Sequence, residues 1–240
     1  YPVASDLSAA FDPAVLPAAA AVVAVDFFGF PQDLAPFEAY ARRTGAVVVE
    51  DAAHGFLTRD ALGRRLGTRA PLGVLSQRKV APLPDGGALV LNDPALARAA
   101  AAQLPTAREP AAALAFQRRR ALLRAAAPWL GARGMHAALE AGRFVRASIG
   151  RAAPADPNAE RVIPVAPEPS PESAAAVASV DLAGEAERRR RLYALCAEVL
   201  RDTGARPVFP ALPEGVVPYG YPFRPAPGGE GHAAEALARL

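Results

Sequence analysis

The sequence predicts an α/β fold whose sheet is mostly parallel. Two features of the first half indicate this class: short apolar runs rich in β-branched residues, and stretches of helical spacing that separate them. The runs are apolar at consecutive positions, which is typical of parallel strands covered on both faces. Ligands of such sheets bind beyond the carboxyl ends of the strands, so the residues that follow each run are candidates for a functional site.

The first half is expected to contain four strands and one clear helix. The helix is predicted over Asp33–Arg43, where Phe37 and Tyr40 share one side and Gly45 provides a stop. The expected strands are, in chain order, Val22–Phe28, Val47–Glu50, Gly73–Ser76 and Ala88–Leu91.

The second half is expected to be mainly helical. The run Arg118–Arg120 lacks the interleaved aromatic residues of a nucleic-acid surface, so we interpret it as a solvated helix face. A long helix is predicted over Ser173–Thr203, with Leu192, Leu195, Val199 and Leu200 packed inward, and a last helix is predicted near His232. We therefore predict three parts: a large domain at 1–150, a proline-rich connector at 151–172 and a helical end at 173–240.

Composition argues against several classes of function. The net charge is +3 and 21% of the residues are charged, so nothing favours nucleic acid as a partner. The longest apolar runs are too short to span a bilayer, and we predict neither a membrane protein nor a metal site. Cys196 is the only cysteine, which fits a reducing cytoplasm. The chain starts at Tyr1 and its single methionine is Met135, so we expect a fragment of a longer protein.

Lys79 is the most informative residue of the chain. It is the only lysine among 27 basic residues, and all the others are arginine. A surface charge or a phosphate contact can use a guanidinium group, whereas an imine to an aldehyde needs a primary amine. Lys79 is therefore a candidate for covalent chemistry with an aldehyde. The alternative is that one lysine escaped the compositional drift by chance.

Residues near Lys79 in the sequence would complete a pyridoxal phosphate site. Asp51 follows the second predicted strand and could keep the pyridine nitrogen protonated, which lets the ring accept electrons from a substrate. His54 lies three residues further on, where it could adjust the ring, and Ser76 could donate to the phosphate. The pair Gly86–Gly87 could let a turn pass close to the cofactor.

Each of these residues also has an ordinary structural interpretation. Asp51 could cap the turn that follows it, and His54 could be a partly buried histidine. Ser76 could simply end a strand, and Gly86–Gly87 could form a hairpin. Together with the sole lysine, the combination favours a cofactor site over a set of unrelated structural roles.

Several segments of the chain resemble one known family. They are Asp12–Pro13, Ala21–Gly29, Pro31–Asp33, Val47–His54, Gly63–Gly67 and Ser76–Asp93, with a weaker match from Val180 through Arg188–Tyr193 to Val217–Pro222. The stretch from Phe11 to Arg98 resembles the middle of the DegT/DnrJ/StrS-type aminotransferases. These enzymes use pyridoxal phosphate to aminate keto sugars that are linked to nucleotides.

The resemblance implies an aspartate-aminotransferase-like fold (fold type I). Residues 1–150 would then form part of the cofactor-binding large domain, and 173–240 would begin a small C-terminal α+β domain. It implies pyridoxal 5′-phosphate as cofactor, with Lys79 as Schiff-base lysine and proton shuttle and Asp51 at the pyridine nitrogen. His54 would lie beside the ring and Ser76 on the phosphate. The substrates would be an amino-acid donor, glutamate, and a nucleotide-linked keto sugar, and the partner would be a second copy in a homodimer.

Departures from the family pattern motivate a second hypothesis. The N-terminal segment with its Gly-Thr phosphate turn is missing, the spacing from Ser76 to Lys79 is short, and the stretch after Asp93 lacks the segment that reaches a neighbouring subunit. The alternative function is a non-catalytic or divergent member that acts as a binding or regulatory subunit. We also expect the 240-residue chain to be poorly soluble by itself, because its sheet would expose apolar surface.

Overall fold

The computed structural model describes residues 1–80, 86–101 and 177–238, together with seven single positions between 122 and 175. The chain divides into two compact units, one formed by Tyr1–Gln103 with Pro171–Leu240 and the other by Leu104–Ser170. The second unit lies almost entirely outside the described residues, as do most of the helices predicted up to residue 150 and the proline-rich connector. The predicted division at 150 and 172 therefore stays a prediction.

The first unit contains a four-stranded, mostly parallel sheet, as the sequence predicts. Its strands are β1 (Ala21–Val25), β2 (Val47–Asp51), β3 (Leu72–Leu75) and β4 (Ala88–Leu91). They lie side by side in the order β1-β2-β3-β4. The pairs β1–β2 and β2–β3 are parallel and β4 returns antiparallel to β3. The carboxyl ends of the three parallel strands thus meet at one edge.

The first strand is shorter than predicted. β1 ends at Val25, and Phe27–Gly29 forms a 3₁₀ turn in which Phe28 has a left-handed φ of 56°. The reason is a polar residue inside the predicted run: Asp26 accepts a hydrogen bond from the Gln32 backbone N–H at 2.8 Å and folds the chain back. The aromatic residues expected to extend the strand therefore lie in the turn that follows it.

Helix α1 (Ala35–Thr44) forms as predicted and covers one face of the sheet. Gly45 ends it in a left-handed conformation, with its N–H donated to the Ala41 carbonyl oxygen. The residues buried between α1, the first two strands and the chain before β3 form the main core: Val22, Ala24, Leu34, Phe37, Tyr40, Val48 and Ala70. Their burial on one helix face matches the predicted spacing.

The opposite face of the sheet is only partly covered in the part of the chain that the structure describes. Val23, Val74 and Leu89 lie on that face and are 42%, 36% and 58% exposed. Parallel sheets normally bury both faces, so the expectation of a sheet covered on both faces is met on the α1 side only. Asp51 lies on the same face as Val74, its register partner in β3.

The long helix of the second half begins later than predicted. Helix α3 spans Leu182–Val199, and Asp181 caps it by accepting the Gly184 N–H at 2.9 Å. Of the four residues predicted to pack inward, Leu200 is buried and Val199 is half-buried, whereas Leu192 and Leu195 are 41% and 39% exposed, so the prediction is wrong for these two. The buried side of α3 is built around Tyr193, whose ring contacts Phe30 and Tyr221 and whose hydroxyl donates to Phe209.

The remaining elements are short. Helix α2 spans Pro94–Ala101, and the two-residue strands β5 (Arg206–Pro207) and β6 (Phe223–Arg224) pair antiparallel. A last helix, α4, spans Glu230–Leu237, close to the predicted start at His232. None of the helices in the described ranges combines the length and the apolar character that crossing a membrane requires.

Candidate functional site

Three charged residues follow the three parallel strands at the same edge of the sheet. Asp26 comes after β1, Asp51 ends β2, and Lys79 lies in a 3₁₀ turn (Gln77–Lys79) after β3. Backbone hydrogen bonds hold these strand ends together, from Asp26 N–H to the Asp51 oxygen at 3.0 Å and from Ala52 N–H to the Val74 oxygen at 2.9 Å. This edge is where ligands of α/β sheets bind.

The Lys79 turn is fixed by backbone contacts. The Lys79 N–H donates to the Ser76 carbonyl oxygen at 3.2 Å, while the Ser76 hydroxyl does not cap the turn. Arg189 of α3 donates to the Lys79 carbonyl oxygen at 2.8 Å and is paired with Glu185 at 2.7 Å. The buried Oε1 of Gln77 has no hydrogen-bond partner among the residues that the structure describes. A donor group of a ligand at this turn would satisfy it.

The charges of Lys79 and Asp51 both act on His54. Burial lowers the pKa of His54 most, the positive charge of Lys79 lowers it further, and the negative charge of Asp51 opposes both. Its Nδ1 accepts the Phe28 backbone N–H at 3.3 Å. An imidazole that accepts at Nδ1 carries its proton on Nε2, so His54 is neutral near pH 7 and presents Nε2–H as a donor.

Tyr219 stacks on His54. The two rings are nearly parallel, with an interplanar angle of 4° and 4.3 Å between their centroids. Two cations lie near the same phenol ring: the Lys79 Nζ is 5.8 Å from its centroid and the Arg189 Cζ is 5.7 Å from it. Residues from three distant parts of the chain therefore converge around one aromatic ring.

The segment that carries Tyr219 is attached to the sheet edge through its backbone. The Tyr219 N–H donates to the Phe28 oxygen at 2.8 Å, and Thr58 Oγ1 both donates to the Val217 oxygen and accepts the Val217 N–H, at 3.1 and 3.0 Å. Gly29 makes this approach possible, since its φ is +85° and a Cβ there would lie 2.9 Å from the Val217 oxygen.

Asp51 also has the structural contact that its sequence position suggested. Its Oδ1 accepts the Ala53 N–H at 3.0 Å, which caps the turn between β2 and His54. This contact occupies one carboxylate oxygen and fixes the orientation of the group. Gly86 and Gly87 directly precede β4, which is antiparallel to β3.

The structure contains a buried ion network that the sequence did not reveal. Arg69 lies between Asp26 and Glu50, at 2.7 Å from the first and 2.6 Å from the second, and both carboxylates are fully buried. Glu50 also accepts the Arg69 backbone N–H at 2.8 Å, and Arg69 donates to the Gln32 oxygen at 3.0 Å. The network ties β1, β2 and the chain before β3 into one unit.

The charges of this network do not balance. Two carboxylates face one guanidinium, and Asp26 Oδ2 has no hydrogen-bond partner in the described part of the chain. Burial raises the pKa of Asp26 to about 7 against the opposing charge of Arg69, and the neighbouring Glu50 carboxylate raises it further. A proton on Asp26 Oδ2 would give that atom a donor for Glu50 and neutralise the cluster.

The sequence analysis did not predict the roles of Arg69, Glu50 and Tyr219, because little in the sequence distinguishes these residues. Arg69 is one of many arginines, and only its position against β2 distinguishes it. Glu50 at the end of an apolar run was a weak sign of a buried acid, because an acid at a strand end can equally face solvent. Tyr219 lies in a segment that the sequence linked to the family, but its contact with His54 depends on the fold.

Comparison with known proteins matches part of the chain to one family. The model of the DegT/DnrJ/EryC1/StrS aminotransferase family matches residues 7–113. This segment, which is less than half of the chain, is similar to that family. The matched segment contains all four residues that the sequence selected: Asp51, His54, Ser76 and Lys79. The family consists of pyridoxal-phosphate-dependent aminotransferases.

Two curated relatives are similar over the same part of the chain. The erythromycin biosynthesis sensory transduction protein EryC1 of Saccharopolyspora erythraea is 38% identical over 87 residues, which are 35% of this chain and 24% of that protein. The L-glutamine:2-deoxy-scyllo-inosose aminotransferase of Streptomyces kanamyceticus is 37% identical over 93 residues, which are 37% of this chain and 21% of that protein. The chain thus matches less than a quarter of the length of either relative.

Solved structures are similar over more of the chain. A DegT/DnrJ/EryC1/StrS aminotransferase from Brucella abortus is 21% identical, with a TM-score of 0.44, over 82% of this chain and 41% of that one. The S. venezuelae protein DesV, solved in complex with a ketimine intermediate, is 22% identical, with a TM-score of 0.48, over 89% of this chain and 47% of that one.

Proposed function

We propose that this chain is the cofactor-binding part of a pyridoxal-phosphate-dependent aminotransferase of fold type I. The observation that carries the proposal is the surroundings of the sole lysine. Lys79 follows β3 at the edge where Asp51 ends β2, and the charges of both act on His54. An amine, a carboxylate and an imidazole at one sheet edge, inside a segment that matches the family, suit a planar heterocyclic aldehyde.

Each residue has a role in this proposal. The bound cofactor would supply an electron-accepting ring conjugated to the substrate's amino-bearing carbon. Lys79 would hold the cofactor's aldehyde carbon and later, as a free amine, move a proton. Asp51 would hold the proton on the ring nitrogen through its second carboxylate oxygen, and His54 would orient the ring with its neutral imidazole. Ser76, whose hydroxyl does not cap the Lys79 turn, would donate to the phosphate.

The unpartnered Gln77 Oε1 supports a ligand at this turn. A buried acceptor without a donor costs free energy, and a bound group that carries an N–H or O–H would recover it. Arg189 adds a positive charge on the α3 side of the Lys79 turn, which suits an anionic ligand. Both features lie at the turn that carries Lys79, the residue that the sequence selected.

The substrates follow from the family. We propose an amino-acid donor of the glutamate or glutamine type, because the S. kanamyceticus relative is named for L-glutamine. The acceptor would be a keto sugar linked to a nucleotide, or a related cyclic polyol ketone such as that in the relative's name. We propose the cytoplasm as compartment and a homodimer as the assembly.

Reductive trapping tests the proposal, and the single lysine makes it specific. The chain would be incubated with pyridoxal 5′-phosphate and reduced with borohydride, and the added mass would be located by peptide mapping. We expect a visible absorbance band before reduction and the label on Lys79. The variant Lys79→Arg should lose both.

A displaced lysine provides the matched control. The double variant Arg78→Lys/Lys79→Arg keeps the charge and moves the amine by one residue, from a half-buried position to an exposed one. We expect it to label at least tenfold more slowly. Equal labelling at position 78, or a label confined to the N-terminal amine, would refute the proposed site.

A second candidate function is a non-catalytic member that binds or regulates. Two observations favour it: the ring face of His54 is covered by Tyr219, and one curated relative is named as a sensory transduction protein. A full-length protein that gives no visible band with pyridoxal phosphate, before or after Lys79→Ala, would support this alternative.

A further inference from the structure

We propose that the Tyr219 side chain is a gate on the cofactor site: its ring occupies the stacking position on His54 and turns away when a planar ligand ring binds there. This inference rests on the proposed function, because it concerns the same His54 and Lys79. It assigns a role to a residue outside the segment that matches the family model.

The position that Tyr219 occupies is the position that a ligand ring would need. A heterocycle that stacks on an imidazole lies parallel to it within the usual aromatic contact range. Tyr219 already has this arrangement, with ring centroids 4.3 Å apart and an interplanar angle of 4°. Phe28, the other aromatic neighbour of His54, is tilted by 32° and its centroid is 5.9 Å away. A second parallel ring on this face of His54 therefore requires that Tyr219 moves.

The backbone around Tyr219 is fixed, so the movement belongs to the side chain. The Tyr219 N–H is bonded to Phe28, and Val217 is bonded in both directions to Thr58. Arg190 of α3 donates to the carbonyl oxygens of Glu214 and Val216 in the same segment. Tyr219 is 40% exposed, and a change of its side-chain rotamer would leave these backbone contacts in place.

A neighbouring cavity offers the displaced ring a place. A cavity of about 190 Å³ lies between α3 and the segment 218–221, and Tyr219 is part of its wall. The lining also includes Leu192, Tyr193, Cys196 and Tyr221. A cavity of about 150 Å³ suffices for a benzene molecule, so this one can accept a phenol ring. There the ring would meet apolar and aromatic side chains in place of His54.

Opening the gate would uncover two groups at once. In the closed arrangement the Tyr219 ring lies against His54 and within 5.8 Å of the Lys79 ammonium. Turning the ring out frees the imidazole face and removes the cation–π contact with the amine. The imidazole of His54 would then be free to stack on a ligand ring, and the Lys79 amine would be free to react with it.

Binding of pyridoxine 5′-phosphate tests the gate. This probe has the ring and phosphate of the cofactor and no aldehyde, so it reports stacking without reaction at Lys79. Titration calorimetry would compare the chain with Tyr219→Ala and Tyr219→Phe. We expect Tyr219→Ala to bind about tenfold more tightly, since the competing stack and cation–π contact are gone. Tyr219→Phe keeps the ring and should bind as the unchanged chain does.

The outcomes separate the gate from the cofactor site. If the unchanged chain binds the probe and Tyr219→Ala binds equally or more weakly, the gate is refuted while the cofactor site stands. If no variant binds the probe and Lys79 takes no label from pyridoxal 5′-phosphate, both proposals are refuted. Tighter binding by Tyr219→Phe to the same degree as Tyr219→Ala would also refute the gate, because the ring would then not be the competitor.

Discussion

The fold keeps the Asp26 carboxyl group protonated to a higher pH than that of an ordinary aspartate. Its side chain is fully buried, one oxygen is bonded to Arg69 and the Gln32 N–H, and the other has no partner. Burial raises its pKa from 3.8 to about 7. A group whose pKa is higher in the folded chain stabilises the fold at low pH, and this stabilisation is lost as the pH rises through the folded pKa.

The pH dependence of stability should reveal this residue. Between about pH 4 and pH 7 the folded chain holds one proton more than the unfolded chain at Asp26. The free energy of unfolding should therefore fall as the pH rises across this window, by at most about 1.4 kcal/mol per pH unit. Chemical unfolding at several pH values would measure it.

The lowered pKa of His54 makes the free energy of unfolding rise with pH near and below pH 6.5, and it does so in every variant. Comparison with Asp26→Asn therefore isolates the contribution of Asp26. We expect the pH slope to be reduced in Asp26→Asn and unchanged in Asp202→Asn, an exposed aspartate. A slope that is the same in Asp26→Asn and the unchanged chain would show that Asp26 is ionised throughout.

At the level of elements, Arg69 joins parts of the fold that the sheet alone does not connect. Arg69 belongs to the segment between β2 and β3. Its side chain contacts Glu50 of β2 and Asp26 at the end of β1. The arrangement is two-sided, and the planar guanidinium suits it because its nitrogens point in fixed, divergent directions. The network therefore positions the strand ends that carry the candidate site.

Removing Arg69 should destabilise the fold strongly. In Arg69→Met the buried side chains of Asp26 and Glu50 lose the guanidinium that contacts them both, and the expected loss is about 3–5 kcal/mol in the free energy of unfolding. Arg69→Lys should retain only part of this stability, because one ammonium group cannot reproduce the contacts that the guanidinium makes to both acids. Urea unfolding would measure the difference, with the exposed Arg65→Met as control, which should change stability by less than about 0.5 kcal/mol. Equal effects of Arg69→Met and Arg65→Met would contradict a stabilising network.

For the molecule as a whole, the sheet has one covered and one partly exposed face among the described residues. The α1 side is a packed core, whereas Val23, Val74 and Leu89 form an apolar surface on the other side. Such a surface promotes association when nothing covers it. The chain spans less than a quarter of its curated relatives, so a covering element in a longer protein is compatible with this surface.

The isolated 240-residue chain should therefore self-associate. We expect light scattering after size-exclusion chromatography to show oligomers or aggregates at micromolar concentration. Leu89→Lys places a charge on the exposed apolar face and should shift the population toward monomer. Lysine at Leu62, which is 77% exposed on a loop away from this face, is the control and should have no such effect. A monodisperse monomer with a sharp melting transition would contradict the expectation.

The sequence by itself determined those features whose signals are local. The spacing of Phe37 and Tyr40 and the stop at Gly45 were enough to predict α1, and consecutive apolar residues were enough to predict the strands. Both patterns involve only residues that are close in the sequence. Lys79 was selected as the sole lysine, Asp51 because it follows a predicted strand, and His54 because it lies three residues further on. The family resemblance was confirmed by the match over residues 7–113.

Only the tertiary structure decided which distant residues meet. Tyr219 reaches His54 because its segment bonds to Phe28 and Thr58 across the sheet edge, and no local pattern encodes that contact. Arg69 was one arginine among many until the register of β2 and β3 brought it to Glu50 and Asp26. Long-range contacts depend on strand register and packing, which involve the whole chain. The stacking of Tyr219 on His54 and the buried network of Asp26, Arg69 and Glu50 could therefore be identified only from the folded structure.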